Sequence, residues 1–445
     1  MSIYIHIPFC NSICTYCDFC KIFYNKKYID DYLNNLEKEI KMRYKGEMVN
    51  TIFVGGGTPS SLNDVELIKL MNIIKVFKLN NEYEFTIECN VESITENKLK
   101  IMKKYGVNRI SIGVESFDNS IIKLLGRNQT KSDVYNKIGI VKKYFSNINI
   151  DLIYAAYDDI NILKSDIDCF LRLDIPHIST YSLIIEDNTI LKINGMKNID
   201  EDTDYEMYKY IEDTLENNNY IHYEISNYSK DEYQSKHNLV YWNNEEYYGF
   251  GLSSTSYINN KRITNTKNLR NYLNGEYVGT IIVEDKDVRM ENEVMLGLRK
   301  FDGIDLEGFR DKFGVSLEDI YNIDSLIKEG YLVKEGNYIK INKRYMYISN
   351  EIIKGLFDIK ASLSSEIFEL ENKLYLLRSS LKDINNEICR VGGHSFGKWK
   401  QAINPDWIND ENSNKVYCYR RVCSICGKKE ITFDINDTKV RSKKK

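Results

Sequence analysis

The sequence predicts an α/β protein: a partial (β/α)6 TIM-like barrel, then an α+β winged-helix-like region, a coiled-coil helix and a small zinc ribbon. Three observations carry this expectation. Short apolar runs recur through the first half of the chain, each followed by a stretch of helical periodicity. Cysteines, glycines and acids stand just beyond these runs, where barrels of this kind place their chemistry. A heptad seam and a second group of cysteines occupy the far end.

The apolar runs are Ser2–Ile7, Thr51–Val54, Glu84–Cys89, Arg109–Gly113, Asn147–Tyr154 and His177–Leu183. Between them lie helical patterns such as Tyr28–Tyr44, with Ile29, Leu33, Leu36 and Ile40 on one face. Strand and helix alternating in this way build a parallel sheet, which puts the barrel core at residues 1–195. Residues 196–350 form a second region. It ends in helices followed by Gly330–Val333 and Tyr338–Ile341, the order of a winged-helix-like hairpin. Such a shape does not by itself imply DNA binding.

Composition narrows the class. The chain has 445 residues, 42% hydrophobic and 28% charged, with a net charge of −4. That is a globular balance with no global case for nucleic acid or a membrane surface. The first residues read as a strand and a cysteine loop, so an export signal is not expected. No apolar run approaches the ~18–20 residues of a membrane span. Eight of the ten cysteines fall in two groups, and Cys89 and Cys169 stand alone. Grouped cysteines without an export signal read as metal ligands before disulfides, and the expected compartment is a reducing cytoplasm.

Cys10, Cys14 and Cys17 follow the first run at C-x3-C-x2-C spacing. Three thiolates on one short loop can hold three irons of a [4Fe–4S] cluster and leave the fourth iron open. A zinc ion is the alternative, but it needs a fourth ligand, and the nearest further thiol is Cys20. After the second run comes Gly55-Gly56-Gly57-Thr58-Pro59. It has no Gly-Lys-Ser/Thr, so it is not read as a phosphate loop. Glu88 ends the third run, Glu115 follows the fourth, and Asp151 lies on the fifth. Together they suit a ligand with an amine, a carboxylate and a ribose.

With these residues in view, the sequence resembles the radical S-adenosylmethionine (SAM) superfamily. The matching stretches are Tyr4-x-His6-Ile7-Pro8-Phe9-Cys10-x3-Cys14-x-Tyr16-Cys17 and Gly55–Pro59. Within the superfamily it is similar to the oxygen-independent coproporphyrinogen III oxidase-like group. That similarity runs through Ser179–Ile185, Tyr223–Tyr228, His237–Trp242 and Glu293–Arg299. His237-Asn238-x-x-Tyr241-Trp242 resembles the mark of its heme-chaperone branch, HemW. The resemblance implies that Cys10, Cys14 and Cys17 ligate the cluster. It implies SAM contacts from Tyr4, Tyr16, Gly56, Gly57, Thr58, Glu88, Glu115, Arg127 and Asp151. It offers His237 as a heme ligand, the other reading being a core histidine. It also leaves two functions open. One is a heme chaperone that binds heme or porphyrin and meets a client protein or electron donor. The other is a coproporphyrinogen dehydrogenase, or another enzyme forming a 5′-deoxyadenosyl radical.

This chain departs from the family pattern in several places. Glu115 stands where glutamine is usual, and Ala155-Ala156-Tyr157-Asp158-Asp159 replaces Gly-Leu-Pro-Gly-Gln. Leu252–Tyr257 replaces Gly-Ala-His-Ser-Tyr, and Asn128-Gln129 follows Leu125-Gly126-Arg127 where the pattern ends in histidine. Cys20 falls one position beyond the fourth cysteine of the oxidases.

The far end lies outside the resemblance. Over residues 356–388, Leu363, Ile367, Leu370, Leu374, Leu377, Leu381, Ile384 and Ile388 alternate by three and four. That is a heptad seam, which could join two copies as a homodimer or pack on the protein's own body. Residues 389–436 carry Cys389-x4-His394 and Cys423-x2-Cys426-Gly427, ligand spacings for a structural zinc, with Cys418 a competitor for His394. Residues 437–445 close with a basic tail read as solvated.

Overall fold

The computed structural model describes residues 1–392, 400–403, 417–424 and 428–432. Its centre is a run of strands β1 (Ser2–Ile7), β2 (Met48–Gly56), β3 (Lys78–Asn90), β4 (Arg109–Glu115), β5 (Asn147–Tyr154) and β6 (His177–Ser182). They pair in chain order, each parallel to the next. Helices α1 (Lys26–Arg43), α2 (Asp64–Ile74), α3 (Glu96–Lys104), α4 (Lys131–Val141) and α5 (Ile160–Leu173) connect them. The expected alternation is therefore present, with β2, β3 and β4 longer than their apolar runs.

Local chemistry sets the helix ends. The Asn25 side chain accepts the Lys27 N–H at 3.0 Å, and Asn63 and Glu66 make a reciprocal capping box at the start of α2. Lys41 and Arg43 sit in the last turn of α1, where cations favour the helix dipole. Ile29, Leu33, Leu36 and Ile40 join Ile3, Ile5 and Ile7 in one buried cluster. One face of β1 thus packs on helix, and the other faces the interior of the sheet.

The sheet does not stop at the expected boundary at 195/196. Strands β7 (Ile221–Glu224) and β8 (Asn227–Ser229) continue it antiparallel beyond β6. At the other edge come β9 (Tyr247–Phe250), β10 (Thr255–Ile258), β11 (Lys261–Asn265) and β12 (Val278–Val283). The order of all twelve is β12-β11-β10-β9-β1-β2-β3-β4-β5-β6-β8-β7. These added strands are short and joined mainly by turns, so they lack the strand–helix rhythm that marked the first six.

A second buried cluster gathers Met290, Val294, Phe309, Phe313, Leu332, Ile339 and Ile341. Helix Lys286–Gly297 is followed by the short strand Ile304–Asp305, three short helices and the hairpin Leu332–Glu335/Tyr338–Ile341. This is the element order expected of the winged-helix-like region. These parts belong to a compact unit ending at Phe357.

The second unit runs from Asp358. A helix spans Ser349–Gly392, so the heptad stretch is helical, and Leu370, Leu374, Leu377, Leu381 and Ile384 on it are exposed. Strands Lys400–Ile403, Tyr417–Val422 and Lys429–Thr432 form a small antiparallel sheet. His394, Cys426 and the basic tail lie outside the described residues. No described helix is long and apolar enough to cross a membrane.

Candidate functional site

The C-terminal ends of the parallel strands open on a cavity of about 560 Å³. Its wall includes Cys10, Cys14, Cys17, Tyr16, Gly56, Gly57, Thr58, Glu88, Glu115, Arg127 and Asp151. Sequence reading named these from six separate stretches, and the fold brings them to one place. Two expected residues are not part of that wall. Tyr4 turns its hydroxyl to His6 Nδ1 at 3.0 Å. His237 is buried, with Nδ1 2.7 Å from Thr51 Oγ1 and Nε2 2.8 Å from the Tyr241 hydroxyl. Both ring nitrogens thus have a hydroxyl partner, the arrangement of a core histidine. Burial and the nearby Arg109 charge push its pKa down to about 3, which keeps the ring neutral. Asn238, the next residue, does reach the cavity.

The cysteine loop is tied down on both sides. Thr15 donates its N–H to Leu125 O at 3.1 Å and its hydroxyl to Leu124 O at 2.7 Å. Leu191 donates back to Thr15 O at 3.1 Å. Thr58 Oγ1 donates to Cys10 Sγ at 3.5 Å, which links the loop to the glycine turn. Gly57 approaches so closely that a Cβ there would lie 2.7 Å from the Pro8 carbonyl carbon. Burial pushes the Cys14 thiol up to about 11 and raises Cys10 as well. Bare thiolates are thus disfavoured, and a bound cation is what would keep the sulfurs deprotonated.

Beside the loop, Glu115 and Arg127 form an ion pair with both side chains 6% exposed. A Cβ on Gly113 would meet Arg127 Nη2 at 2.7 Å and Glu115 Oε1 at 2.8 Å, so the pair packs directly over this glycine. Glu115 itself has φ 64°, a left-handed backbone that turns the chain out of β4. Arg127 Nη2 also reaches the Tyr16 hydroxyl at 3.3 Å, while its Nε and Nη1 have no partner. Those two donors are free for a ligand anion. Glu88 accepts the Gly56 N–H at 3.0 Å. Burial first, and then the Asp151 charge, push Glu88 up to about 8. Asp151 is raised by burial, against hydrogen bonds from Ser179, Asn149 and Ser111.

The interior below this rim is also polar, and sequence reading missed it. Arg109 and Ser111 on β4, Asn149 on β5, and Ser179 and Tyr181 on β6 line the same cavity. Asn149 Nδ2 donates to Ser111 Oγ at 2.8 Å and to Ser179 Oγ at 3.1 Å. Behind them His177 contacts Asn149 Oδ1 at 2.6 Å and the Tyr223 hydroxyl at 2.7 Å. The signal that could have found them is the period of two: polar residues alternate with isoleucine in Arg109-Ile110-Ser111-Ile112 and Asn149-Ile150-Asp151.

Comparison with known proteins gives the family. The family model described as the radical SAM superfamily matches residues 4–160, and the HemN C-terminal domain model matches residues 285–346. The heme chaperone HemW of Lactococcus lactis is 38% identical over 365 residues, covering 79% of this chain and 96% of that protein. HemW of Bacillus subtilis is 35% identical over 370 residues, covering 79% and 97%. The structure of coproporphyrinogen III oxidase (HemN) from Escherichia coli superposes with a TM-score of 0.70 at 21% identity. It covers 79% of this chain and 89% of that one, and shows the shared fold. Radical SAM membership implies a [4Fe–4S] cluster and SAM, and the thiols and polar rim fit both. The chain belongs to the HemW family of the radical SAM superfamily.

Proposed function

We propose that this protein is a heme chaperone that holds a [4Fe–4S] cluster and SAM at the cavity rim, carries heme, and passes it to a client protein. What supports the reading most is one conjunction. The three thiols, the glycine turn and the acid–arginine rim face a single cavity in a chain 38% identical to a HemW over most of its length.

In this reading Cys10, Cys14 and Cys17 hold the cluster. The unpartnered Nε and Nη1 of Arg127 receive the SAM carboxylate. Glu88 and the Gly56–Thr58 backbone receive the amine end, and Glu115 and Asp151 accept from the ribose. Bound together, cluster and SAM supply one-electron chemistry. The protein's part is to fix Arg127 through Glu115, to keep Glu88 largely protonated near neutral pH, and to shield the loop from water.

The second unit adds docking and a metal. Cys389 and Cys423 are buried with their sulfurs 3.5 Å apart, and Cys423 N–H donates to Lys428 O at 2.9 Å. That separation is too long for a disulfide at ~2.05 Å and close to the ~3.8 Å between two thiolates on tetrahedral zinc. His394 and Cys426 complete the set by sequence spacing. The exposed leucine seam of the long helix is the surface for a second copy or a client helix.

The test is heme transfer. Heme-loaded protein is mixed with an apo-heme acceptor, and 5′-deoxyadenosine is measured in parallel. Transfer to the acceptor supports the chaperone. SAM cleavage coupled to oxidation of a porphyrinogen, without heme transfer, replaces it with the dehydrogenase.

A further inference from the structure

Two arginines are buried among the described residues, Arg127 and Arg109, and the half-buried Arg43 and Arg262 each share a strong ion pair with a buried acid as Arg127 does. Arg43 pairs with Glu39 at 2.5 Å, Arg127 with Glu115, and Arg262 with Glu284. Arg109 has none. It is 2% exposed, its Nε has no hydrogen-bond partner, and among the described residues it makes no ion pair. What surface its guanidinium keeps faces the cavity. A buried cation left in this state is costly unless something else neutralises it.

Its surroundings define what that something is. Arg109 opens β4, and Glu115 closes it six positions later. At ~3.3 Å per residue the two backbone positions are roughly 20 Å apart. Arg109 therefore serves the depth of the cavity, not the rim where Arg127 stands. The register pairs Arg109 with Thr86 on β3 and with Asn147 on β5, and Thr86 Oγ1 and Asn147 Oδ1 are also without partners. His177 and His237 lie within reach of its charge and are held neutral. The acids that feel it are Asp151 and Glu88, neither in contact with it. A single negative charge suits a lone guanidinium that already feels Asp151 better than a dianion does, and the planar fork matches a carboxylate. Beside the polar rim, Phe19 and Ile184 add apolar surface to the cavity wall and are 66% and 63% exposed. Exposed apolar wall above a cationic floor fits an amphiphile with an apolar body and an acid arm.

We propose that Arg109 receives a ligand carboxylate inside the cavity, and that this carboxylate is a porphyrin propionate; the second clause rests on the heme-chaperone reading. The probes are hemin and hemin dimethyl ester, which differ in propionate charge alone, titrated into the full-length protein with its cluster reconstituted. Wild type is expected to bind hemin about tenfold or more tighter than the ester. Arg109→Gln is expected to lose that preference while keeping its affinity for the ester, and Arg109→Lys to recover part of it. Cluster absorbance should be unchanged in both variants. Equal binding of hemin and ester by wild type overturns the carboxylate, and needs no variant to fold. A preference that survives Arg109→Gln overturns the residue. Absence of saturable hemin binding overturns the chaperone reading itself, and with it the propionate.

Discussion

Replacing Arg127 by alanine should be among the most damaging single changes at the rim, and the structure says by how much. Glu115 would be left 6% exposed, facing Asp151 and Glu88 without its cation. Breaking a buried pair in this way costs ~3–5 kcal/mol. Burial already raises the Glu115 pKa, so the orphaned carboxyl can escape by taking a proton. That places the loss near the lower end, about 3 kcal/mol. Glu115→Gln keeps an acceptor for Arg127 but leaves a buried guanidinium that cannot shed its charge, and is expected to lose ~3–5 kcal/mol. The double variant removes charge on both sides and should be more stable than Arg127→Ala alone. At roughly 2 °C per kcal/mol for a unit of this size, the Arg127→Ala midpoint should fall by about 6 °C, and adding Glu115→Gln should restore part of it. Thermal unfolding of the four proteins at fixed pH and salt reads this cycle. An Arg127→Ala midpoint within a degree of wild type, or a double variant equal to the sum of the singles, would show that the pair is not coupled.

Three further outcomes follow from the same geometry. Glu88 titrates at about 8 in the fold against 4.5 for an ordinary glutamate. The folded state thus holds a proton that the unfolded chain releases, and the stability from that proton is full below 4.5 and lost as pH rises through 8. The cluster-free protein should become less stable between pH 5 and about 8.5, and Glu88→Gln should flatten the curve; parallel curves would exclude Glu88 as a source. Gly57→Ala puts a Cβ 2.7 Å from the Pro8 backbone, which cannot yield as a side chain would. It should cost ~1–3 kcal/mol and lower the iron retained after reconstitution, measured per chain. Cys423→Ser should release about one zinc per chain while leaving cluster absorbance intact; a zinc content unmoved by the change would remove Cys423 from the site.

The parts of the fold and site that sequence made legible are those written in contiguous residues. The cysteine loop, Gly55–Pro59 and the first six strands each announce themselves within a dozen positions, and helix α1 shows its buried face by spacing alone. What escaped depends on pairings between distant segments. His237 looked available because its partners, Thr51 and Tyr241, hold it only once α-helical and strand segments meet. The polar interior around Arg109 and Asn149 was hidden because isoleucines on the helix-facing side make β4 and β5 read as apolar runs. Strands β7 to β12 were missed because turns alone join most of them, so they carry no barrel rhythm.

Heme carriage is decided by titrating hemin into the anaerobically reconstituted protein while following the Soret band. Saturation near one heme per chain, retained in His237→Ala folded to the wild-type level, is the expected result. Absence of saturable binding would contradict the account and turn the same rim toward SAM cleavage on another substrate.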